Sequence, residues 1–137
     1  MEFLHRGCLL IGALLLMGCD RFQRSEVVLT PSARVTADSI IAALPGASPS
    51  VMRAIERLAL GSGLSAVNAS GCARSWELER LGQPYGNLHV CVNPRPKGEL
   101  EVRIIEGPTT VWSPKADSLR RSIMDTLQQY GNIRALK

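Results

Sequence analysis

The chain is poor in the side chains that build most catalytic centres and aromatic cores. Of its 137 residues, two are histidines, and tryptophan, tyrosine and phenylalanine together supply 4%. The scarcity of aromatic residues predicts a core built mainly from aliphatic side chains. No C-x-x-C pair, phosphate-binding glycine loop or nucleophile elbow is present, and a four-ligand zinc site cannot be assembled from the spacing. We therefore expect a protein that is not an enzyme and that uses no metal or cofactor.

The apolar run near the start of the chain is too short to cross a membrane. It extends from Cys8 to Met17, about ten residues, whereas a helix spanning the bilayer core needs roughly twenty. His5 and Arg6 precede it as a modest positive segment. A short basic segment followed by a short apolar run is typical of an export signal.

The end of this run carries a more specific pattern. The segment Leu16-Met17-Gly18-Cys19 resembles the lipobox of bacterial lipoproteins, with a small residue before a cysteine whose thiol can form a thioether to diacylglycerol. The resemblance covers about the first twenty residues and implies cleavage before Cys19, lipid on its sulfur, and a further acyl chain on the new amine. Several acyl chains make a lasting membrane anchor. Asp20 would then be the second mature residue, which weakly favours retention in the inner membrane over the outer.

The remaining cysteines predict one disulfide. Cys8 would leave with the signal and Cys19 would take the lipid, which leaves Cys72 and Cys91 in a compartment that permits disulfides. Closing a loop of this size contributes roughly 3 kcal/mol in the chain-entropy model. Two free thiols, or a redox or metal pair, are the alternatives.

The charge balance points to the surroundings of the protein. The formal net charge is +4, which favours anionic partners such as lipid headgroups or cell-wall polymer, or else serves only solubility. An exported protein would not normally meet nucleic acid, so we expect none as a partner.

Composition and turn signals divide the chain into four parts. The expected parts are a signal peptide (1–18), a lipidated N-terminus and tether (19–35), a globular domain (36–131) and a C-terminal tail (132–137). Within the tether, residues 27–29 could instead form an edge strand.

Three helices are predicted. A short one would run from Thr36 to Ala43. Ser48-Pro49 and Ser113-Pro114 each combine a capping side chain with a proline at the first helical position, and they predict helices to about Leu60 and to Tyr130. The last helix has an apolar stripe at helical spacing, formed by Ala116, Leu119, Ile123, Leu127 and Tyr130.

Alternating apolar and polar residues predict a hairpin of strands 88–93 and 99–104 around the turn Pro94–Gly98. Residues 74–80 favour a strand, although Ser75 and Gly82 could also bound a short helix. A simple hairpin centred near Pro84 would conflict with the disulfide. It would pair Cys91 with Glu77 and leave Cys72 roughly 16 Å away, beyond the ~7 Å between bridged Cα atoms.

These patterns predict an α+β fold, a small single domain with an antiparallel sheet of about three strands packed against two main helices in the order α-β-β-β-α. His89 and the glutamates of the strands, including Glu106, are expected on a solvated face. The function expected is a lipid-anchored interaction module facing the periplasm, with an envelope protein or cell-wall component as partner. The alternative is a small inhibitor or immunity-type protein that inserts the turn Pro94–Gly98 into an envelope-active enzyme.

Overall fold

The structure, a computed structural model, describes residues 22–32, 50–80 and 84–136. The predicted signal peptide, Cys19, Asp20 and the helix expected over 36–43 lie outside these residues. The described part contains two α-helices, six strands and one 3-10 turn. In chain order they are β1 (Gln23–Pro31), α1 (Ser50–Gly61), β2 (Ser65–Val67), β3 (Arg74–Leu78), β4 (Asn87–Arg95), the 3-10 turn (Pro96–Gly98), β5 (Glu99–Gly107), α2 (Pro114–Gln128) and β6 (Gly131–Ala135).

The expectation of a three-stranded sheet is wrong, although the α+β class stands. All six strands form one sheet in the order β2-β3-β4-β5-β1-β6, and every neighbouring pair is antiparallel. The segment assigned to the tether supplies β1, which is an inner strand between β5 and β6. The segment assigned to the tail supplies β6. Both strands pair with segments far away in the chain, and such pairing leaves no local turn signal.

The three strands that were predicted are confirmed. Residues 74–78 are a strand, and β4 and β5 form the expected hairpin, with Val92 opposite Val102 and Arg95 opposite Glu99. The tight connection between them is the 3-10 turn.

The two predicted helices within the described residues are also confirmed. α2 begins at Pro114, and the Ser113 side chain accepts a hydrogen bond from the Ala116 backbone N–H, as the capping signal predicts. The stripe residues from Ala116 to Leu127 are buried, and Tyr130 packs partly against them.

Both helices lie on one face of the sheet, and the hydrophobic core lies between the helices and that face. The strand residues on this face are mostly aliphatic, and Trp76 is the large aromatic among them. They are Val27, Leu29, Trp76, Leu88, Val90, Val92, Leu100, Val102 and Ile104, which pack against Val51, Met52, Ile55 and Ala59 of α1 and the stripe of α2. The opposite face of the sheet takes the alternate side chains of the same strands.

The sheet has two ends that matter for function. At one end, which we call the Phe22 end, β1 and β4 begin while β3 and β5 finish, because Gln23 pairs with Glu106 and Asn87 with Gly107. At the other, the turn end, lies the 3-10 turn. The α2 helix starts near the Phe22 end and finishes near the turn end.

Candidate interaction surface

The face of the sheet away from the helices carries many charged side chains. We call it the charged face. Its charged members alternate with core residues along β1, β4, β5 and β6, and they are Arg24, Glu26, Arg95, Glu99, Glu101, Arg103 and Arg134. The same face also carries His89, Ile105 and the buried side chains of Val28 and Cys91. Within the described residues, neither helix covers this face.

Glu101 is the centre of one charge network on this face. Its carboxylate accepts hydrogen bonds from Arg95 at 3.1 Å and from Arg103 at 2.5 Å. The Glu101 residue is 9% exposed. Burial by itself would raise the pKa of Glu101, but the hydrogen bonds and charges of Arg103 and then Arg95 outweigh it, and the pKa is lowered from its ordinary value. Glu101 is therefore held ionised with two arginines around it.

A second network joins three strands. The Thr30 hydroxyl donates a hydrogen bond to Glu99 at 2.8 Å, and Arg134 donates another at 3.3 Å. These residues belong to β1, β5 and β6. The Thr30 hydrogen bond is the main reason why the pKa of Glu99 is lowered, and the charge and hydrogen bond of Arg134 add to it against a smaller effect of burial. Both networks orient charged groups of both signs before any partner arrives.

A shallow groove of about 520 Å³ lies on the same face at the Phe22 end. It is lined by Phe22, Ala69, Glu77, Asn87, His89, Ile105, Gly107 and Pro108. His89 sits between Glu77 and Ile105 in the sheet register. The Asn87 side chain donates to Glu77 at 3.3 Å and accepts from the Arg80 backbone N–H at 3.1 Å. The groove thus combines a half-buried imidazole, a carboxylate and an aromatic ring.

Cys72 and Cys91 form the predicted disulfide, with their Cα atoms 5.5 Å apart. The hairpin register differs from the one expected, because Cys91 pairs with Ser75 and not with Glu77. Cys72 precedes β3 in a turn, where its backbone N–H donates to the Ala69 carbonyl at 3.2 Å. The chain bends back at this turn, so the hairpin and the bridge coexist.

The Asn93 side chain holds this turn in place. Its Nδ2 donates to the Gly71 carbonyl at 2.7 Å, and its Oδ1 accepts from the Ala73 backbone N–H at 2.8 Å. Gly71 adopts a φ of +79°, which a residue with a side chain rarely takes. Asn93 thereby fixes the position of Cys72 next to β4.

Glu106 does not lie on the solvated face, so that expectation is wrong. Its side chain is fully buried on the helix side of the sheet. It accepts hydrogen bonds from the Ser113 backbone N–H at 2.6 Å, from the Ser113 hydroxyl and from Arg80. Glu106 is at an even-numbered position of β5, as are the core residues Leu100, Val102 and Ile104, so the alternation along the strand already indicated that it faces the helices. The cluster fixes the start of α2 on β5.

The remaining expectations about sites concern metals and membranes. Among residues 22–32, 50–80 and 84–136, no group of three or more histidine, cysteine, aspartate or glutamate side chains could hold a metal ion. No helix within the same ranges is long and apolar enough to cross a bilayer.

His89 lies on the charged face, as its strand position predicts, beside the bridged Cys91.

Comparison with known proteins found no match. No family model, curated protein or solved structure is significantly similar to this chain.

Proposed function

We propose that the protein is a lipid-anchored interaction module on the periplasmic side of a bacterial membrane, and that its charged face binds an envelope partner. The observation that carries this proposal is the arrangement of the charged face. Its ion-pair networks are ordered in the free protein, and the helices cover the other side of the sheet.

The chemistry of the charged face favours a protein partner with charges of both signs. Arginine side chains are common at the centres of protein interfaces, where they form hydrogen bonds in fixed geometry. Here Arg103 and Arg134 are bound to carboxylates and keep 38% and 53% of their side-chain surface exposed. Ordering these side chains in advance reduces the entropy lost on binding.

The anchor is assigned to Cys19 by the lipobox-like segment. The expected result of Cys19→Ser is release of the protein from the membrane fraction of a bacterial cell. Retention of this variant in membranes would contradict the lipid anchor, and it would leave the charged face to be tested separately.

Site-specific photocrosslinking in cells tests the charged face. A photoreactive residue at position 103 should give one discrete crosslinked product, because Arg103 lies in the middle of the face. The same residue at position 57 is the matched control, since Arg57 is exposed on α1, away from the charged face. In a second experiment the photoreactive residue stands at a neighbouring position on the charged face. Arg103→Glu should then remove the crosslinked product, whereas Arg57→Glu should not. Equal crosslinking from both positions would contradict a specific interface.

The second candidate is an inhibitor or immunity-type protein that acts through the turn Pro94–Gly98. The observation in its favour is that this turn lies at the turn end, with Pro94, Pro96 and Lys97 exposed. Lys97 and Gly98 adopt φ values of 66° and 71°, so these two residues in the left-handed region give the loop a tight turn. Loss of inhibition of an envelope hydrolase after Lys97→Glu, with crosslinking at position 103 unchanged, would support this candidate over the first.

A further inference from the structure

We propose that the Phe22 end of the domain rests on the surface of the bilayer that holds the Cys19 lipids. This inference rests on the proposed lipid anchor and adds an orientation to it. The domain would stand on the membrane with its Phe22 end down and present the turn Pro94–Gly98 outward.

The length of chain between the anchor and the fold is the first argument. Phe22 follows Cys19 by three residues, which span at most about 11 Å when fully extended. Gln23, the next residue, is already paired with Glu106 in the sheet. A tether of fifteen residues would have let the domain turn freely, whereas this connection holds the Phe22 end close to the lipid attachment.

Exposed apolar side chains at the same end are the second argument. Among the described residues, the large apolar side chains that are exposed are Leu60 and Val111, at 50% and 58%. Leu60 lies in the last turn of α1, just before β2 begins at this end, and Val111 lies between the end of β5 and the start of α2. Trp112 follows Val111 and is half-buried. Tryptophan and aliphatic side chains at a water-exposed edge suit the interface of a bilayer.

The two apolar segments belong to neighbouring parts of the surface. The Lys115 ammonium lies 3.7 Å from the position that a Cβ on Gly63 would occupy. Gly63 follows Leu60 by three residues and Lys115 follows Val111 by four, so the end of α1 and the start of α2 meet. Leu60 and Val111 therefore belong to segments that adjoin at the Phe22 end.

Charged groups at this end fit a surface of anionic headgroups. Arg24 and Lys115 are exposed, and the Arg24 guanidinium lies 5.9 Å from the centre of the Phe22 ring. In the described residues of this end, the opposing carboxylates are the exposed Glu79 and the half-buried Glu77 and Asp117. Asp117, near Trp112, is paired with Arg120 and Arg121. Basic side chains beside apolar ones are attracted by anionic lipids and hold the apolar groups at the headgroup boundary.

Fluorescence quenching by brominated lipids tests the orientation. The full-length protein, lipidated in cells and purified in detergent, is reconstituted into phosphatidylethanolamine–phosphatidylglycerol vesicles with brominated acyl chains. Trp112 should lose most of its emission relative to vesicles without bromine. Trp112→Phe should abolish the loss, because the other tryptophan, Trp76, is 1% exposed in the core.

A tryptophan introduced at the turn end is the matched control. Gln128 is exposed at the end of α2, so the emission gained by Gln128→Trp in the Trp112→Phe protein should not be quenched. Double substitution of Leu60 and Val111 by serine should reduce the quenching of Trp112 while the protein still floats with the vesicles. This pair of exposed positions can be changed without opening a cavity in the core.

The outcomes separate the orientation from the anchor. A protein that floats with vesicles but whose Trp112 is not quenched, or whose Gln128→Trp control is quenched equally, overturns the orientation and leaves the anchor intact. Quenching that depends on the density of protein in the vesicle would indicate that the Phe22 end contacts a second copy of the protein. That result would contradict contact of this end with the bilayer. A wild-type protein that does not float would overturn both the anchor and this inference.

Discussion

The carboxylate of Glu106 accepts the Ser113 backbone N–H at 2.6 Å, so a buried acid on β5 holds the first turn of α2. Arg80 contributes a second donor to the same carboxylate, and its side chain is 14% exposed. The Ser113 hydroxyl both donates to Glu106 and accepts from Ala116. One acid therefore connects a strand, a helix cap and the loop that follows β3.

Glu106→Gln should lower the free energy of unfolding by roughly 3 kcal/mol. Removing one partner of a buried ion pair leaves the other, here Arg80, without its counter-charge. Glu79→Gln is the control, because Glu79 is exposed one residue before Arg80 and should change stability by less than about 0.5 kcal/mol. Urea unfolding of both variants measures the difference. Equal stability of the two variants would show that the Glu106 cluster does not hold the fold.

Reducing the disulfide should destabilise the protein by about 3 kcal/mol. Cys72 and Cys91 are 19 residues apart, and the loss follows from the loop entropy restored to the unfolded chain. The double substitution Cys72→Ala and Cys91→Ala should show a similar loss and should no longer respond to reductant. Unfolding with and without reductant measures both. Two alkylatable thiols in the untreated wild type would contradict the bridge.

Stability should fall in acid, and Arg103 should control part of the fall. The folded pKa of Glu101 lies below its ordinary value of 4.5, so the unfolded state binds protons first as the pH decreases. The stabilisation is therefore complete above the unfolded pKa and is lost as the pH falls through the folded pKa. Arg103→Gln removes a donor and a positive charge, so it should raise the folded pKa and flatten the loss of stability below pH 4.5.

Unfolding curves between about pH 2 and pH 6, which bracket the carboxyl pKa values, check this. Arg57→Gln serves as the control for a charge change elsewhere on the surface. An acid profile of the Arg103 variant identical to that of the wild type would mean that Arg103 does not hold Glu101 ionised.

Gly131→Ala should weaken the pairing of β6 with β1. A Cβ at Gly131 would lie 2.1 Å from the Thr30 carbonyl oxygen, so the strands must move apart, and forced packing of this kind costs about 1–3 kcal/mol. Gly61→Ala is the matched control, because nothing lies within 4 Å of a Cβ there. Faster amide hydrogen exchange in β6 of the first variant alone is the expected result. Unchanged protection of β6 would contradict the close approach.

The local patterns were sufficient for the elements whose causes are local. Ser113-Pro114 predicted the start of α2 because capping depends on residues a few positions apart. The alternation in β4 and β5, with turn formers between them, predicted their hairpin for the same reason. Counting the cysteines that remain after the expected processing predicted the bridge between Cys72 and Cys91. The turn that brings them together depends on Asn93, which lies 22 residues from Gly71.

The amino-acid sequence by itself determined the α+β class, the helices α1 and α2, the β4–β5 hairpin and the pairing of the two cysteines. Only the tertiary structure decided that β1 and β6 complete a six-stranded sheet. The partners of these strands lie far away along the chain, and a strand forms no hydrogen bonds within itself that a local pattern could reveal. The same long-range pairing decided that Glu106 is buried, since its environment comes from Arg80 and Ser113. It also placed Phe22, Leu60 and Val111 at one end of the domain, an arrangement that no local pattern contains.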